Sequence, residues 1–337
     1  MCDYCYPNDT SGDETRESKV HSPSNAVDGD ISTWWQSPPI SRGKRYNRID
    51  VTIDLIQEFQ VAYVVVSMAD SPRPGVWALE RSSDGGQTYS PWQFFASNDA
   101  ECQKYFNKHA NEKIFNDDDV ICSTEYSKTP PFEGGEVFVP LTTGRPSEQS
   151  ITESEVMLDW LRATNIRLKL IQTKTMLGHL MSVAQGDQTV TRRYYYSIKE
   201  INVGGRCLCN GHAFICPASP SDPNRLQCQC MHNTAGENCE RCADGFTQKS
   251  WRRFSQKDPF VCEKCNCNSH SYNCHYNQTV DDNRDSMDIH GNYIGGGVCE
   301  GCQDFTTGIN CQTCMDGYFR PVGVLPNATN PCQRKLS

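Results

Sequence analysis

Arg192-Arg193-Tyr194-Tyr195-Tyr196-Ser197-Ile198-Lys199-Glu200-Ile201-Asn202-Val203-Gly204-Gly205-Arg206-Cys207-Leu208-Cys209 divides the chain into two kinds of sequence. Before it, cysteines are sparse and apolar residues recur at strand spacing. After it, a cysteine arrives every few residues to the end. The stretch itself reads as the last strand of a folded domain, running through Gly204-Gly205 into a cysteine array.

Upstream, β-prone runs alternate with turn signals. Arg48–Leu55 sets Ile49, Val51, Ile53 and Leu55 on one face. In Phe59–Ser67, Val61, Tyr63 and Val65 oppose Ala62, Val64 and Val66, a run buried on both faces. Val76–Ser82 follows the stiff turn Ser71-Pro72-Arg73-Pro74-Gly75. Further strands are expected at Trp92–Ala96, Glu136–Leu141, Asn165–Gln172 and Tyr194–Val203. Such spacing favours an all-β sandwich. One helix is expected, Glu153–Ala163, with Val156, Met157, Trp160 and Leu161 at helical spacing. Cys102 and Cys122 flank the polar stretch Gln103–Ile121 and are expected to pair across it. The acidic run Asn116-Asp117-Asp118-Asp119 reads as a solvated loop.

Downstream, sixteen of the twenty cysteines fall after position 206, in two copies of one unit. Cys209-Asn210-Gly211-His212 answers Cys267-Asn268-Ser269-His270. Thr234-Ala235-Gly236-Glu237-Asn238-Cys239 answers Thr306-Thr307-Gly308-Ile309-Asn310-Cys311. The second copy is longer between its third and fourth cysteines, with Gly295-Gly296-Gly297 in the insert. Zinc also uses Cys-x-x-Cys with nearby histidines. Eight cysteines per copy, almost no apolar residues and the glycosylation sequons at Asn8, Asn277 and Asn327 favour disulfides in an oxidising compartment. Spacing alone does not choose among the pairings. Tandem units in which each touches only its neighbours make a stiff rod.

Composition excludes several classes. Net charge is −9, which argues against nucleic acid as the main partner. Mean hydropathy is −0.63, and no apolar run reaches the length of a membrane span. His-Glu-x-x-His, Gly-x-Ser-x-Gly and phosphate-loop motifs are missing, so no enzyme is expected. The chain opens without a basic region and apolar core, so a fragment or a processed chain is expected. Before residue 207, Asn25–Gln36 is the one stretch that suggests metal chemistry. Asp28, Asp30, Thr33 and nearby carbonyls are oxygen donors of the type calcium takes, and Gly29 permits the bend. The bland alternative is an Asp-Gly turn leading into buried tryptophans.

The repeat pattern resembles the laminin-type EGF-like repeat. The whole chain resembles the amino-terminal short arm of a laminin alpha subunit. The motifs are Thr33-Trp34-Trp35-Gln36-Ser37, Pro72-Arg73-Pro74-Gly75-x-Trp77-x-Leu79-Glu80-Arg81-Ser82, Tyr89-Ser90-Pro91-Trp92-Gln93 and Val190-Thr191-Arg192-Arg193-Tyr194-Tyr195-Tyr196-Ser197. The resemblance implies a laminin N-terminal domain over 1–206, repeats over 207–264 and 265–332, and a tail at 333–337. It implies that the first domain is a jelly-roll sandwich of galactose-binding-like type. It implies bridges Cys207–Cys216, Cys209–Cys228, Cys230–Cys239, Cys242–Cys262, Cys265–Cys274, Cys267–Cys299, Cys302–Cys311 and Cys314–Cys332. Calcium ligands carried over from relatives are the Asn25 carbonyl, Asp28, Thr33 and a carbonyl near Lys199.

A self-assembly patch of the family, Pro-Leu-Glu-Asn-Gly-Glu, reads Pro131-Phe132-Glu133-Gly134-Gly135-Glu136 here, departing at Phe132 and Gly134. The family usually has a cysteine-bearing segment before the pair Cys2 and Cys5, so their pairing stays open. The implied protein is secreted into basement membrane and joins the N-terminal domains of beta and gamma subunits, with the repeats as a stiff spacer. The alternative is an adhesion module for heparan sulfate, sulfatide or an integrin. Its cations would come from Arg42–Arg48, Arg192-Arg193 and Trp251-Arg252-Arg253.

Overall fold

The computed structural model describes residues 21–69, 71, 73–127, 136–174 and 194–335. The chain forms two compact units, Met1–Arg206 and Cys207–Ser337.

The first unit is a β-sandwich. Its strands are β1 (Trp35–Gln36), β2 (Ile49–Met68), β3 (Pro74–Ser82), β4 (Ser90–Phe95), β5 (Ile121–Ser123), β6 (Glu136–Pro140), β7 (Arg162–Thr173) and β8 (Ser197–Cys207). They pair in the order β1-β8-β2-β7-β3-β4-β5, and β6 also pairs β2. The β1–β8, β2–β6, β2–β7, β3–β4 and β3–β7 pairings are antiparallel, and β4–β5 is parallel.

The two apolar runs expected on either side of residue 57 are one strand, β2. Its first part pairs β7 and its last part pairs β6, so it serves both layers. The register shifts between Asp54 and Phe59, where Ile56 takes φ 68° and its N–H donates to Asp54 Oδ1 at 2.8 Å. A bulge of this kind turns a strand without ending it. Val61, Val64 and Val66 of β2 are buried, but Tyr63 is 41% exposed, so the run is not buried on both faces.

The core gathers Trp77 and Leu79 of β3, Trp92 and Phe95 of β4, Val137 and Val139 of β6, and Ile166, Leu168 and Leu170 of β7. Fully burying side chains of this size stabilises by about 1.5–3 kcal/mol each. Trp92 Nε1 donates to the Trp160 carbonyl at 2.7 Å, and Trp160 Nε1 to the Leu141 carbonyl at 3.1 Å. Both indoles therefore enter the core with their polar edge satisfied.

The expected helix is shorter, Glu155–Leu161, capped by Ser154 and running directly into β7. Its inner face is Met157, Leu158, Trp160 and Leu161, while Val156 is 51% exposed. A second helix, Asp99–Phe106, occupies part of the stretch read as loop. Asn98 caps it, Asn107 ends it in the left-handed region, and buried Cys102 bridges to Cys122 on β5. The acidic run is not simply solvated. Asp117 is buried and accepts from Ser147 N–H (2.9 Å) and Ser154 Oγ (2.6 Å). Buried Arg145 donates to the carbonyls of Asp117 and Asp119 and lies 4.1 Å from the Trp160 ring centroid. Burial pushes the Asp117 carboxyl up, but the Ser154 and Ser147 hydrogen bonds and then the Arg145 guanidinium together hold it below its ordinary range.

In the second unit, eight disulfides link Cys207–Cys216, Cys209–Cys228, Cys230–Cys239, Cys242–Cys262, Cys265–Cys274, Cys267–Cys299, Cys302–Cys311 and Cys314–Cys332. Each copy holds a short ribbon: β9 (Thr234–Ala235) with β10 (Arg241–Cys242), and later β13 (Thr306–Thr307) with β14 (Thr313–Cys314). The longer second copy adds β11 (Asn273–Tyr276), the helix Gln278–Asn283 and β12 (Gly297–Glu300).

This insert receives Gln248 of the first copy, which is fully buried. Its side-chain amide donates to the Ile294 carbonyl (2.7 Å) and Ser286 Oγ (3.2 Å), and its backbone carbonyl accepts from Gly296 N–H (2.9 Å). The triple glycine follows from that packing. A Cβ at Gly295 would press on the Gln248 carbonyl, and one at Gly297 would lie 2.6 Å from Gln248 Oε1.

Candidate functional site: an oxygen-lined loop on the sandwich

β1 pairs Trp35 with Ile198 of β8. That pairing holds the loop before β1 against the strand that carries Lys199 and Glu200. The loop opens with a 3-10 turn, Pro23–Ala26, capped by Ser22. It bends at Gly29, where φ is +76°. Asp28 Oδ1 accepts from Asp30 N–H at 2.9 Å, and Asp30 Oδ1 accepts from Ser32 N–H (2.8 Å) and Ser32 Oγ (2.7 Å). The two bonds from Ser32 hold the Asp30 carboxyl below its ordinary range. The Asp30 side chain thus builds the turn.

Thr33 Oγ1 lies at the centre. Asp28 Oδ2 is 2.7 Å away, the Asp30 carbonyl 3.0 Å and the Asn25 carbonyl 3.4 Å. A hydroxyl has one hydrogen, so it satisfies one of these three acceptors at a time. The Asp30 carbonyl also accepts from Thr33 N–H at 3.1 Å, and the lone pairs left over are oxygen donors of the kind a hard cation takes. Three of the four ligands expected from the family, Asn25, Asp28 and Thr33, are therefore brought together. The fourth expected ligand is a carbonyl near Lys199, on the strand next to the loop. Lys199 is half-buried on β8, and it is the neighbouring Glu200 that reaches the loop, Oε2 accepting from Gly29 N–H at 3.2 Å. Glu200 is 7% exposed. Sequence reading passed over it because only the β1–β8 register shows which strand residue faces the loop. Tryptophans do follow the turn: Trp35 is buried, and half-buried Trp34 stacks on His21 at 4.1 Å.

Of the expected assembly patch, Pro131, Phe132, Glu133, Gly134 and Gly135 lie outside the described residues, as do Cys2, Cys5, Asn8 and Arg192-Arg193. Glu136 is exposed at the start of β6, opposite Ser67 of β2. Among the expected basic residues, Arg252 is paired with Asp258 at 2.9 Å. No described helix is long and apolar enough to cross a membrane.

Residues 1–205 match the laminin N-terminal domain (domain VI), and residues 207–262 and 265–332 match the laminin EGF domain. The laminin subunit alpha of Drosophila melanogaster is 51% identical over 98% of this chain, which spans 9% of that protein. The laminin subunit gamma-1 of Xenopus tropicalis is 32% identical over 86% of this chain, which spans 17% of it. Among solved structures, a chitosan-binding module of a Paenibacillus chitosanase/glucanase is 15% identical, covering 55% of this chain and 86% of that one at a TM-score of 0.30. The chain belongs to the laminin family: an N-terminal domain followed by laminin EGF domains, of alpha type by its identities. Laminins are structural proteins of the extracellular matrix.

Proposed function

We propose that this module mediates laminin self-assembly in basement membranes, its sandwich joining the N-terminal domains of beta and gamma subunits while the repeats act as a stiff spacer. The observation that carries this reading is the graded likeness of chains. The same module occurs on alpha subunits at 43% to 51% identity and on gamma-1 at 32%. Related but unequal copies are what assembly among like domains of different chains requires. The exposed Glu136, last residue of the patch 131–136, supplies a carboxylate on the proposed contact face. Gln248, buried across two disulfide-stapled copies, supports the spacer role.

The loop of Asn25, Asp28, Asp30 and Thr33 would hold calcium through two carbonyls, a carboxylate and a hydroxyl, with the Glu200 carboxylate alongside. The ion would neutralise the Asp28 and Glu200 charges and fix the loop against β8. A ligand that binds only the folded state at a hundredfold excess over its Kd stabilises by about 2.7 kcal/mol. Calcium is therefore expected to raise the sandwich's Tm over chelator, and Asp28→Ala to abolish the rise. Sedimentation of the chain with beta and gamma short-arm fragments, with and without calcium, tests assembly. A ternary species at micromolar concentration is expected with calcium; its absence overturns the proposal.

A further inference from the structure

Asn327 sits in an exposed turn closed by Ala328 N–H donating to the Leu325 carbonyl at 3.1 Å. It opens the sequon Asn327-Ala328-Thr329. The same residue lines a groove of about 650 Å³ within the second unit. Tyr272, 85% exposed, and Ile289, 55% exposed, line the same groove. Lys264 and Ser269 also line it, both exposed, and neither side chain makes a hydrogen bond or ion pair to the described residues. An open aromatic face beside unoccupied donors is the combination that recognises a sugar ring, whose C–H face packs on the π system while its hydroxyls take the donors.

The placement of Asn327 against Tyr272 is rigid. His270, 2% exposed and two residues before Tyr272, donates from Nε2 to the Pro326 carbonyl at 2.8 Å. Its Nδ1 faces Asp304 Oδ2 at 2.8 Å. One buried imidazole therefore ties the residue before the sequon to the segment that bears the aromatic ring. In the first copy the corresponding His212 binds the Arg252 carbonyl, and Arg253 stands where Asn327 stands in the second. The sequon and its aromatic wall occur together in the second copy alone.

We propose that Asn327 carries an N-linked glycan whose core sugars lie along this groove on the face of Tyr272. In the attachment step the Asn327 amide nitrogen forms a C–N bond to the anomeric carbon of a lipid-diphosphate-linked oligosaccharide. The anomeric C–O bond to phosphate breaks, the lipid diphosphate leaves with the electron pair, and the amide loses one proton. The seated core shields Tyr272 from solvent and keeps the sugar from swinging freely. This seat is independent of the assembly reading and of the calcium loop.

The test uses the full chain secreted from a glycosylating cell line. Mass spectrometry is expected to find Asn327 modified; an unmodified Asn327 overturns the proposal. Peptide-N-glycosidase is then applied to native and unfolded samples. The native glycan at Asn327 is expected to come off more slowly by about fivefold to tenfold, the factor that one aromatic contact supplies. Equal rates overturn the seat. Tyr272→Ala is expected to abolish the protection and Tyr272→Phe to keep it; protection that survives Tyr272→Ala also overturns it. In a second readout, nitration of Tyr272 is expected to run faster in Asn327→Gln than in the glycosylated protein, and equal nitration counts against the seat.

Discussion

The two units are stabilised by opposite means. The sandwich buries Trp77, Trp92, Phe95, Leu79, Ile166, Leu168 and Leu170 around one core, with a single described disulfide, Cys102–Cys122. In the cysteine-rich unit the buried residues are largely cysteines, joined by His212, Gln248, His270, Asn310 and Thr306. Apolar area cannot carry a unit with so few buried apolar side chains, so cross-links and satisfied polar groups replace it. The lesson concerns tolerance. A core shares a lost methylene among many neighbours, whereas a stapled unit depends on a few bonds.

Reduction should break the comparison most sharply. Each bridge contributes about 2–4 kcal/mol in the loop-entropy account, and eight fall in one unit. Under mild reductant, limited proteolysis is expected to digest residues 207–335 while the sandwich persists. The converse is Leu168→Ala, a cavity at a fully buried site. It should cost the sandwich about 2–5 kcal/mol in denaturant unfolding and leave proteolysis of the repeats unchanged.

Gly295→Ala is a smaller perturbation, of about 1–3 kcal/mol, because it meets the Gln248 carbonyl at a φ of +93°. Hydrogen exchange should rise at Gly296 N–H and around Gln248, and not in β7.

The least effect is expected from pH, and it should separate the two repeats. His212 Nε2 donates to the Arg252 carbonyl (2.9 Å), so Nδ1 accepts from His232 Nδ1–H (3.2 Å). Around the ring stand Trp251, Phe254 and Phe260, with the Arg252 guanidinium over Phe260 and paired to Asp258. Burial first, opposed by the bond to the Arg252 carbonyl and helped by the neighbouring His232, pushes His212 below its ordinary value. The unfolded chain therefore binds this proton more readily. The stability His212 contributes is present above about pH 6.5 and is lost as pH falls below it. In the second repeat, His270 faces the Asp304 carboxylate in the place of His232. Trp251 fluorescence should shift between pH 7.5 and 5, and His232→Asp should shrink that shift.

Much of this was legible in the sequence because it is local. The eight cysteines of one copy answer the eight of the other in order, apart from the insert, and most strands show their period. What escaped depends on distant partners. Ile56 is a β-branched residue in the left-handed region, which no propensity favours; the Asp54 carboxylate and pairing on both sides hold it there. The helix Asp99–Phe106 has a weak apolar face and is fixed by its Asn98 cap and one disulfide. Asp117 looks solvated in sequence, yet Arg145, distant along the chain, buries it. Of the loop site, the donors within Asn25–Thr33 were readable, while Glu200 needed the register of β8.

The disulfide order in the second unit has a mechanical consequence. Under tension a chain lengthens only where no covalent loop bypasses it, by about 3.3–3.6 Å per residue at most. Between Cys207 and Cys332 the residues outside every bridged loop are Gln229, Glu240-Arg241, Glu263-Lys264, Glu300-Gly301 and Gln312-Thr313. A pull on the two ends is therefore borne by sulfur–sulfur bonds, with almost no slack to release, and the unit behaves as an inextensible tether.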